Sequence, residues 1–526
     1  MYASVKSAGV RGLSAELVTV EVDLSSGLPR FDLVGLPNSA VSESKERVRS
    51  AVRNCGFQFP ISRITVNLAP ADFRKEGPIY DLPIFTAMML ADHQIISGQK
   101  TLERKLDELT SAVFLGELSL RGDVRRVRGV LPMLICAREK GMKQAFIPAG
   151  NAKEATAVCD AMDVYPVHTV KELLAHLRGE KLIEPVEPVP FDVLVQKNAR
   201  ADAPDFSEVI GQREARRALE IAAAGGHNVL LVGPPGAGKS MLAKRLPGIL
   251  PEMTYDEALE TTNIYSVGGL LPEDLPLMVE RPFRAPHHTA TLAAMAGGGA
   301  QASPGEVTLA HNGVLFLDET PHFARPVLEA LRQPLEDRCI TIARNRATVT
   351  YPGNIQLIGA MNPCPCGYYG VPYTENGRVC SCSLQDIRRY ADKLSGPFLD
   401  RIDIHVRVRP VPERLLLAGG TSECSADIRA RVVAARAVQK ARFEGSGTVC
   451  NAAMNRTQMN EFCALDEPCR DALLAAHEKH QFSARSNDKI LKVARTIADL
   501  AGSEHIELPH LLEAIQLHAM DAYLDP

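Results

Sequence analysis

The stretch that most constrains how this chain can fold is Gly233-Pro234-Pro235-Gly236-Ala237-Gly238-Lys239-Ser240. It fits G-x-x-x-x-G-K-[ST], a loop that works between a strand and a helix. Asn228 to Val232 before it reads as a buried parallel strand, and Met241 to Leu246 after it reads as the start of a helix. In that setting the glycines let backbone N–H groups close around phosphate oxygens, and the helix N-terminus adds positive dipole. Gly233 through Ser240, with Met241 behind them, are therefore expected to cradle a nucleotide. Lys239 would reach the β- and γ-phosphates, and the Ser240 hydroxyl would hold Mg²⁺.

A second motif follows in the order such a fold needs. Gly313-Val314-Leu315-Phe316-Leu317-Asp318-Glu319 has four consecutive apolar residues, suited to a strand buried on both faces. Asp318 at its C-terminal end is expected beside the phosphate loop, on Mg²⁺, and Glu319 is expected to polarise the attacking water. Ile355 to Met361 reads as another buried strand, ending in the polar Asn362.

Length and composition bound the rest. A chain of 526 residues holds about three domains, on a prior of roughly 100–200 residues each. The formal net charge of −4 provides no global basic field, so any polyanion site must be a local patch. No apolar run reaches the length of a membrane span, and Met1 to Lys6 lacks the apolar core of a leader; no membrane partner is expected, and the cytoplasm is the expected compartment. Before the phosphate loop, Leu17 to Leu24, Ile64 to Leu68, Ala112 to Leu118 and Ala145 to Ile147 read as strands. Ser39 to Val52 and Pro132 to Lys140 have helical spacing, so this is a mixed α/β domain. Pro185, Pro188, Pro190 and Pro204 then mark a linker over 184–205.

The front segment resembles the Lon-protease-like domain of the bacterial ComM/YifB family. The matching runs include Gly27-Leu28-Pro29, Val34-Gly35-Leu36-Pro37, Val66 to Asp72, Lys75-Glu76-Gly77, Asp81-Leu82-Pro83, Leu115 to Leu118 and Val127 to Pro132. Lon proteases attack with a Ser-Lys pair. Aligned through Lys75 to Pro78, the nucleophile position falls on Ile79, and the helix that would carry the lysine offers Leu131 and Met133. None of these side chains can act as nucleophile or base, so a structural or interaction role is expected for 1–183. Beyond it, Arg281 to Thr291, Pro304-Gly305-Glu306 and Leu309 to Gly313 match the same family closely, and the resemblance covers almost the whole chain.

The resemblance implies an AAA+ ATPase of the magnesium-chelatase group: an αβα phosphate-loop core over 206–412 and a helical lid over 420–526. Val209 and Ile210 match a segment that lies against adenine, although a plain core role suits them equally. Asn362 matches sensor 1, which helps place the attacking water. Arg401 matches an arginine finger offered to a neighbouring subunit, the other reading being an ion pair with Asp400 or Asp403. Arg485 matches sensor 2 in the lid, though Ser486-Asn487-Asp488 departs from the aromatic and basic residues that often follow it.

Three further features stand outside the nucleotide motifs. Ala294 to Gln301 is a glycine-rich loop, and Cys339 to Tyr351 reads as a hairpin around Arg344-Asn345-Arg346. Arg344 and Arg346 at its tip would hold DNA phosphates without reading sequence, or else mark a solvated turn. His287 and His288 lack partners at metal spacing and are expected to pack a loop. Cys364-Pro365-Cys366 and Cys380-Ser381-Cys382, in a loop over 364–382, suit structural Zn²⁺; free thiols or a disulfide remain open, and the other eight cysteines are expected to be reduced. By the resemblance, the whole is expected to be a homohexameric, DNA-moving ATPase, a helicase of branch migration in natural transformation and recombination. A remodeller of a protein partner, as in magnesium chelatase, is the alternative from a different class.

Overall fold

The computed structural model describes residues 1–95, 109–197, 204–298, 303–343, 348–371, 378–411, 414, 422–480 and 482–519. It divides into two compact units, Met1–Ala199 with Tyr255–Val279, and Arg200–Thr254 with Glu280–Pro526.

The first unit is built on a seven-stranded mixed sheet. Its strands are β1 (Tyr2–Arg11), β2 (Ser14–Ser25), β3 (Arg30–Val34), β4 (Arg63–Ala69), β5 (Ala112–Phe114), β6 (Gln144–Pro148) and β7 (Asp163–Val167), in the spatial order β3-β4-β2-β1-β5-β6-β7. The run from Ala112 to Leu118, expected as one strand, breaks at Leu115–Gly116, because the Leu115 N–H donates to Phe146 O and the Gly116 N–H to Ile79 O. The helix Asp81–Ala91 is buried along its whole length. Asp81 within it is held by a two-pronged contact from Arg47. Ile79, Leu131 and Met133, which stand where a Lon dyad would, are all part of the apolar core.

Residues Tyr255–Val279 lie between motor motifs in sequence, inside the span expected as 206–412, yet fold with the first unit. The helix Tyr255–Gly268 is held there by polar contacts as well as by Leu259 against the core. The Ser266 hydroxyl donates to Glu154 Oε2 at 2.6 Å, Asn263 Nδ2 donates to Leu13 O at 2.9 Å, and Arg126 Nη2 donates to Leu271 O at 2.7 Å. Burial pushes the Glu154 carboxyl above its ordinary range, with the Ser266 and Asn151 donors acting against that shift. The span expected as linker contains a short helix, Phe191–Lys197.

The second unit is an αβα sandwich around a five-stranded parallel sheet. Its strands are β8 (Val229–Val232), β9 (Phe283–Arg284), β10 (Val314–Leu317), β11 (Gln356–Met361) and β12 (Ile404–Arg407), ordered β9-β10-β11-β8-β12. Every neighbouring pair is parallel, so all five C-terminal ends open on one edge, where ligands bind in this kind of sheet. The C-terminal helices Ser425–Arg442, Arg456–Phe462, Glu467–His480, Ala484–Leu500 and Leu508–His518 share one apolar core with the sheet. The helical lid is therefore present as expected, and no helix among the described residues is long and apolar enough to cross a membrane. The hairpin stem is antiparallel, Cys339–Ala343 against Thr348–Pro352. Arg344 and Arg346 lie outside the described residues.

Candidate functional site

Register brings the motifs together. Val232 pairs with Met361 across β8 and β11, and Leu317 pairs with Gly359 across β10 and β11. The phosphate loop, Asp318 and Asn362 thus leave the same sheet edge side by side. The Gly233 N–H donates to Met361 O at 3.1 Å, which fixes the start of the loop. Gly238 precedes the helix Lys239–Arg245 with φ +92, a left-handed conformation that side chains resist.

The functional atoms are already in contact. Lys239 Nζ donates to Gly233 O at 2.6 Å, to Pro234 O at 3.0 Å and to Asn362 Oδ1 at 3.0 Å. Burial brings the Lys239 ammonium down to about 8, against the opposing pull of Asp318 and Glu319. The Ser240 hydroxyl donates to Asp318 Oδ2 at 2.7 Å, and Asp318 Oδ1 accepts the Glu319 N–H at 2.9 Å. A hydroxyl and a carboxylate this close form an oxygen pair suited to a hard divalent cation, so Ser240 and Asp318 fit Mg²⁺.

Glu319 has φ +50 and ψ +46, an uncommon conformation for a residue with a side chain. Its side chain is 55% exposed, open to water, and its Oε2 lies 3.5 Å from both His288 Nδ1 and His322 Nδ1. The histidine pair expected only to pack a loop therefore contributes one member to the site. His322 was not singled out in the sequence, although its place three residues after Glu319 puts it one turn away.

The two arginines sit apart from the loop. Arg401 is buried, with Nη1 donating to Pro397 O at 2.6 Å and Nη2 bonded to Glu336. Its ion-pair partner is thus neither Asp400 nor Asp403. Asp403 accepts the Asn228 N–H at 3.0 Å, and Asp400 pairs with Arg485 at 3.7 Å. Arg485 is 63% exposed and here faces the segment next to Arg401. Val209 is part of the motor core, and Ile210 beside it is half-buried.

The four clustered cysteines converge, with sulfurs within 4.8 Å of one another, the one such group of possible metal ligands among the described residues. Cys364 Sγ lies 3.3 Å from Cys366 Sγ and 3.7 Å from Cys380 Sγ. Zn–S bonds of about 2.3 Å in a tetrahedron require sulfur separations of roughly 3.8 Å, so the donor set fits zinc. The Gly367 and Tyr369 N–H groups also point at Cys364 Sγ, at 3.2 and 3.3 Å. None of the twelve cysteines is in a disulfide. Gly367, at φ +89, packs so closely on the phosphate loop that an added Cβ would lie 2.5 Å from Pro235 Cδ.

A parallel sheet with a phosphate loop, an Asp-Glu pair and a polar residue on the adjoining strand defines an AAA+ ATPase. Three family models match, together along most of the chain: "Magnesium chelatase, subunit ChlI" over residues 205–416, "Subunit ChlI of Mg-chelatase" over 20–151, and "Magnesium chelatase, subunit ChlI C-terminal" over 422–518. Competence protein ComM of Haemophilus influenzae is 43% identical over 521 residues, covering 98% of this chain and 97% of that protein. YifB of Escherichia coli (strain K12) is 41% identical, covering 98% of this chain and 96% of its own. A Lon protease of Rhizobium meliloti is 25% identical over 198 residues, 36% of this chain and 23% of that protein. The chain belongs to the ComM/YifB family of magnesium-chelatase-like AAA+ ATPases.

Proposed function

We propose that this ATPase forms a ring, a homohexamer, and uses hydrolysis to move along DNA, driving strand separation and branch migration during transformation and recombination. The observation that carries the ATPase part is the contact set Lys239–Asn362 and Ser240–Asp318–Glu319 at one sheet edge. The DNA part is supported by the 43% identity to a protein named for competence, and by the hairpin stem that leads to Arg344 and Arg346.

In this reading Gly233 to Met241 hold the phosphates, and Ser240 and Asp318 would hold Mg²⁺, which would supply charge screening for the phosphates. Glu319 takes a proton from water as the water oxygen bonds to the γ-phosphorus, and the bond from that phosphorus to the bridging oxygen breaks. Asn362 orients the water and Lys239 holds the γ-phosphate. Arg401 comes from the neighbouring copy and Arg485 from the lid. Cys364, Cys366, Cys380 and Cys382 would hold a structural zinc with no open position, pinning the loop that follows Asn362 and packs on Pro235. The second reading, remodelling of a protein partner, draws support from the magnesium-chelatase subunit models that match front, middle and end of the chain.

The test is strand displacement and branch migration on forked DNA and four-way junctions, with Glu319→Gln as control. The native chain is expected to displace strands only with ATP, and no displacement, or equal displacement by the variant, rules the DNA reading out. Arg344→Ala and Arg346→Ala are each expected to reduce the slope of log affinity against log salt by about 0.7–0.9, one phosphate contact apiece. For the cysteine loop, native mass spectrometry is expected to find one zinc per chain. Cys366→Ser should lose it and lower Tm by about 5 °C, the effect of roughly 3 kcal/mol of lost linkage in a unit of this size.

A further inference from the structure

Glu319 and Asn362 leave adjacent strands, and hydrolysis needs their side chains at a fixed spacing around one water. Two residues outside the nucleotide motifs bridge them. The short turn Thr320–His322 folds back on Glu319, with the His322 N–H donating to Glu319 O at 2.8 Å. This brings His322 Nδ1 to 3.5 Å from Glu319 Oε2. On its other side the His322 ring meets the Tyr390 ring edge to face, 6.2 Å between centroids and 89° between planes. Tyr390 is nearly fully buried, and the backbone N–H of Asn362 faces its hydroxyl, where it favours the charged form of the phenol. Asn362 in turn accepts from Lys239 Nζ. His322 and Tyr390 thus stand between Glu319 and Asn362.

We propose that His322 and Tyr390 are positioning residues for ATP hydrolysis, holding the Glu319 carboxylate at a set distance from the Asn362 side chain. The proposal rests on the assignment of Glu319 as the group that receives the water's proton. Among the described residues neither is hydrogen-bonded to the phosphate loop, so their effect is expected on turnover and not on nucleotide binding. His288, from the segment after β9, approaches the same Oε2 at 3.5 Å, with its ring edge to face against that of His322. The glutamate backbone explains why such support is needed. Its φ is left-handed and its side chain is more than half exposed.

The experiment measures steady-state ATP turnover of the full chain for His322→Leu, His322→Asn and Tyr390→Phe, with thermal melting as the check on folding. His322→Leu and Tyr390→Phe are each expected to lower kcat by about tenfold, what one lost hydrogen-bonding contact costs at the transition state, with KM for ATP within about twofold. His322→Asn, which keeps a polar group near the Nδ1 position, is expected to recover part of the loss. Tyr390→Phe preserves the ring and its packing, so a fall in kcat without a fall in Tm isolates the hydroxyl. Unchanged kcat in both His322→Leu and Tyr390→Phe overturns the proposal, as does a rise in KM at constant kcat. Glu319→Gln in the same series separates the two levels. If it is inactive while His322→Leu is fully active, only the positioning role fails; if it too keeps full turnover, the assignment of Glu319 fails first.

Discussion

Replacing Glu319 by Gln is expected to slow ATP hydrolysis about 10²–10⁴-fold while leaving ATP binding within a few-fold of the native chain. Gln keeps the size of the side chain and loses only its capacity to accept a proton. The residues proposed to grip the phosphates are untouched, because Lys239 contacts Gly233, Pro234 and Asn362, and Ser240 contacts Asp318. Glutamine also tolerates the left-handed backbone of position 319 as well as glutamate does, so the variant does not add strain. Phosphate release measures the first quantity, and a fluorescent ATP analogue the second. Lys239→Ala is the contrasting case, expected to lose binding itself. Turnover above about a tenth of native in Glu319→Gln would move the proton-accepting role to another group.

What could be read from the sequence was what is local. The phosphate loop, the buried strands and the order of motifs are each written in a run of a few residues, and a parallel sheet then leaves little freedom in how their ends meet. The contact of Lys239 with Asn362 follows from that order, because Val232 and Met361 must pair for the sheet to form. The four cysteines were legible for the same reason: two short arms joined by one loop. What could not be read depends on long separations. Residues Tyr255–Val279 sit among motor motifs in sequence, but their partners Leu13, Arg126 and Glu154 are more than a hundred residues upstream. No periodicity in a helix reveals which of two cores it will join. Arg401 against Glu336 and Tyr390 against Asn362 are hidden in the same way. The helix Phe191–Lys197 escaped because seven residues flanked by prolines show no helical period.

The second large effect concerns Arg401. In the single chain its guanidinium is turned inward, bonded to Pro397 O and Glu336, with its side chain only 7% exposed. Its buried Nε has no hydrogen-bond partner among the described residues, which leaves one donor of the guanidinium unsatisfied at a cost of about 1–3 kcal/mol. Glu336 is 52% exposed, so the pair lies at the surface and can open without dismantling the core. A finger that acts on a neighbour's nucleotide must make that exchange, trading Glu336 for a γ-phosphate. Arg401→Ala is then expected to lower turnover about 10³-fold with ATP binding preserved. That loss alone does not tell a finger from a fold-supporting ion pair, but mixing does. Arg401→Ala chains keep Lys239, and Lys239→Ala chains keep Arg401. In rings assembled at random from equal amounts, about a quarter of the interfaces join an intact loop to an intact arginine, if each interface is head to tail. Turnover near a quarter of native in the mixture, with each variant inactive alone, identifies action between subunits. A mixture as inactive as its parts, with Arg401→Ala melting several degrees below native, identifies Arg401 as a residue that serves its own chain.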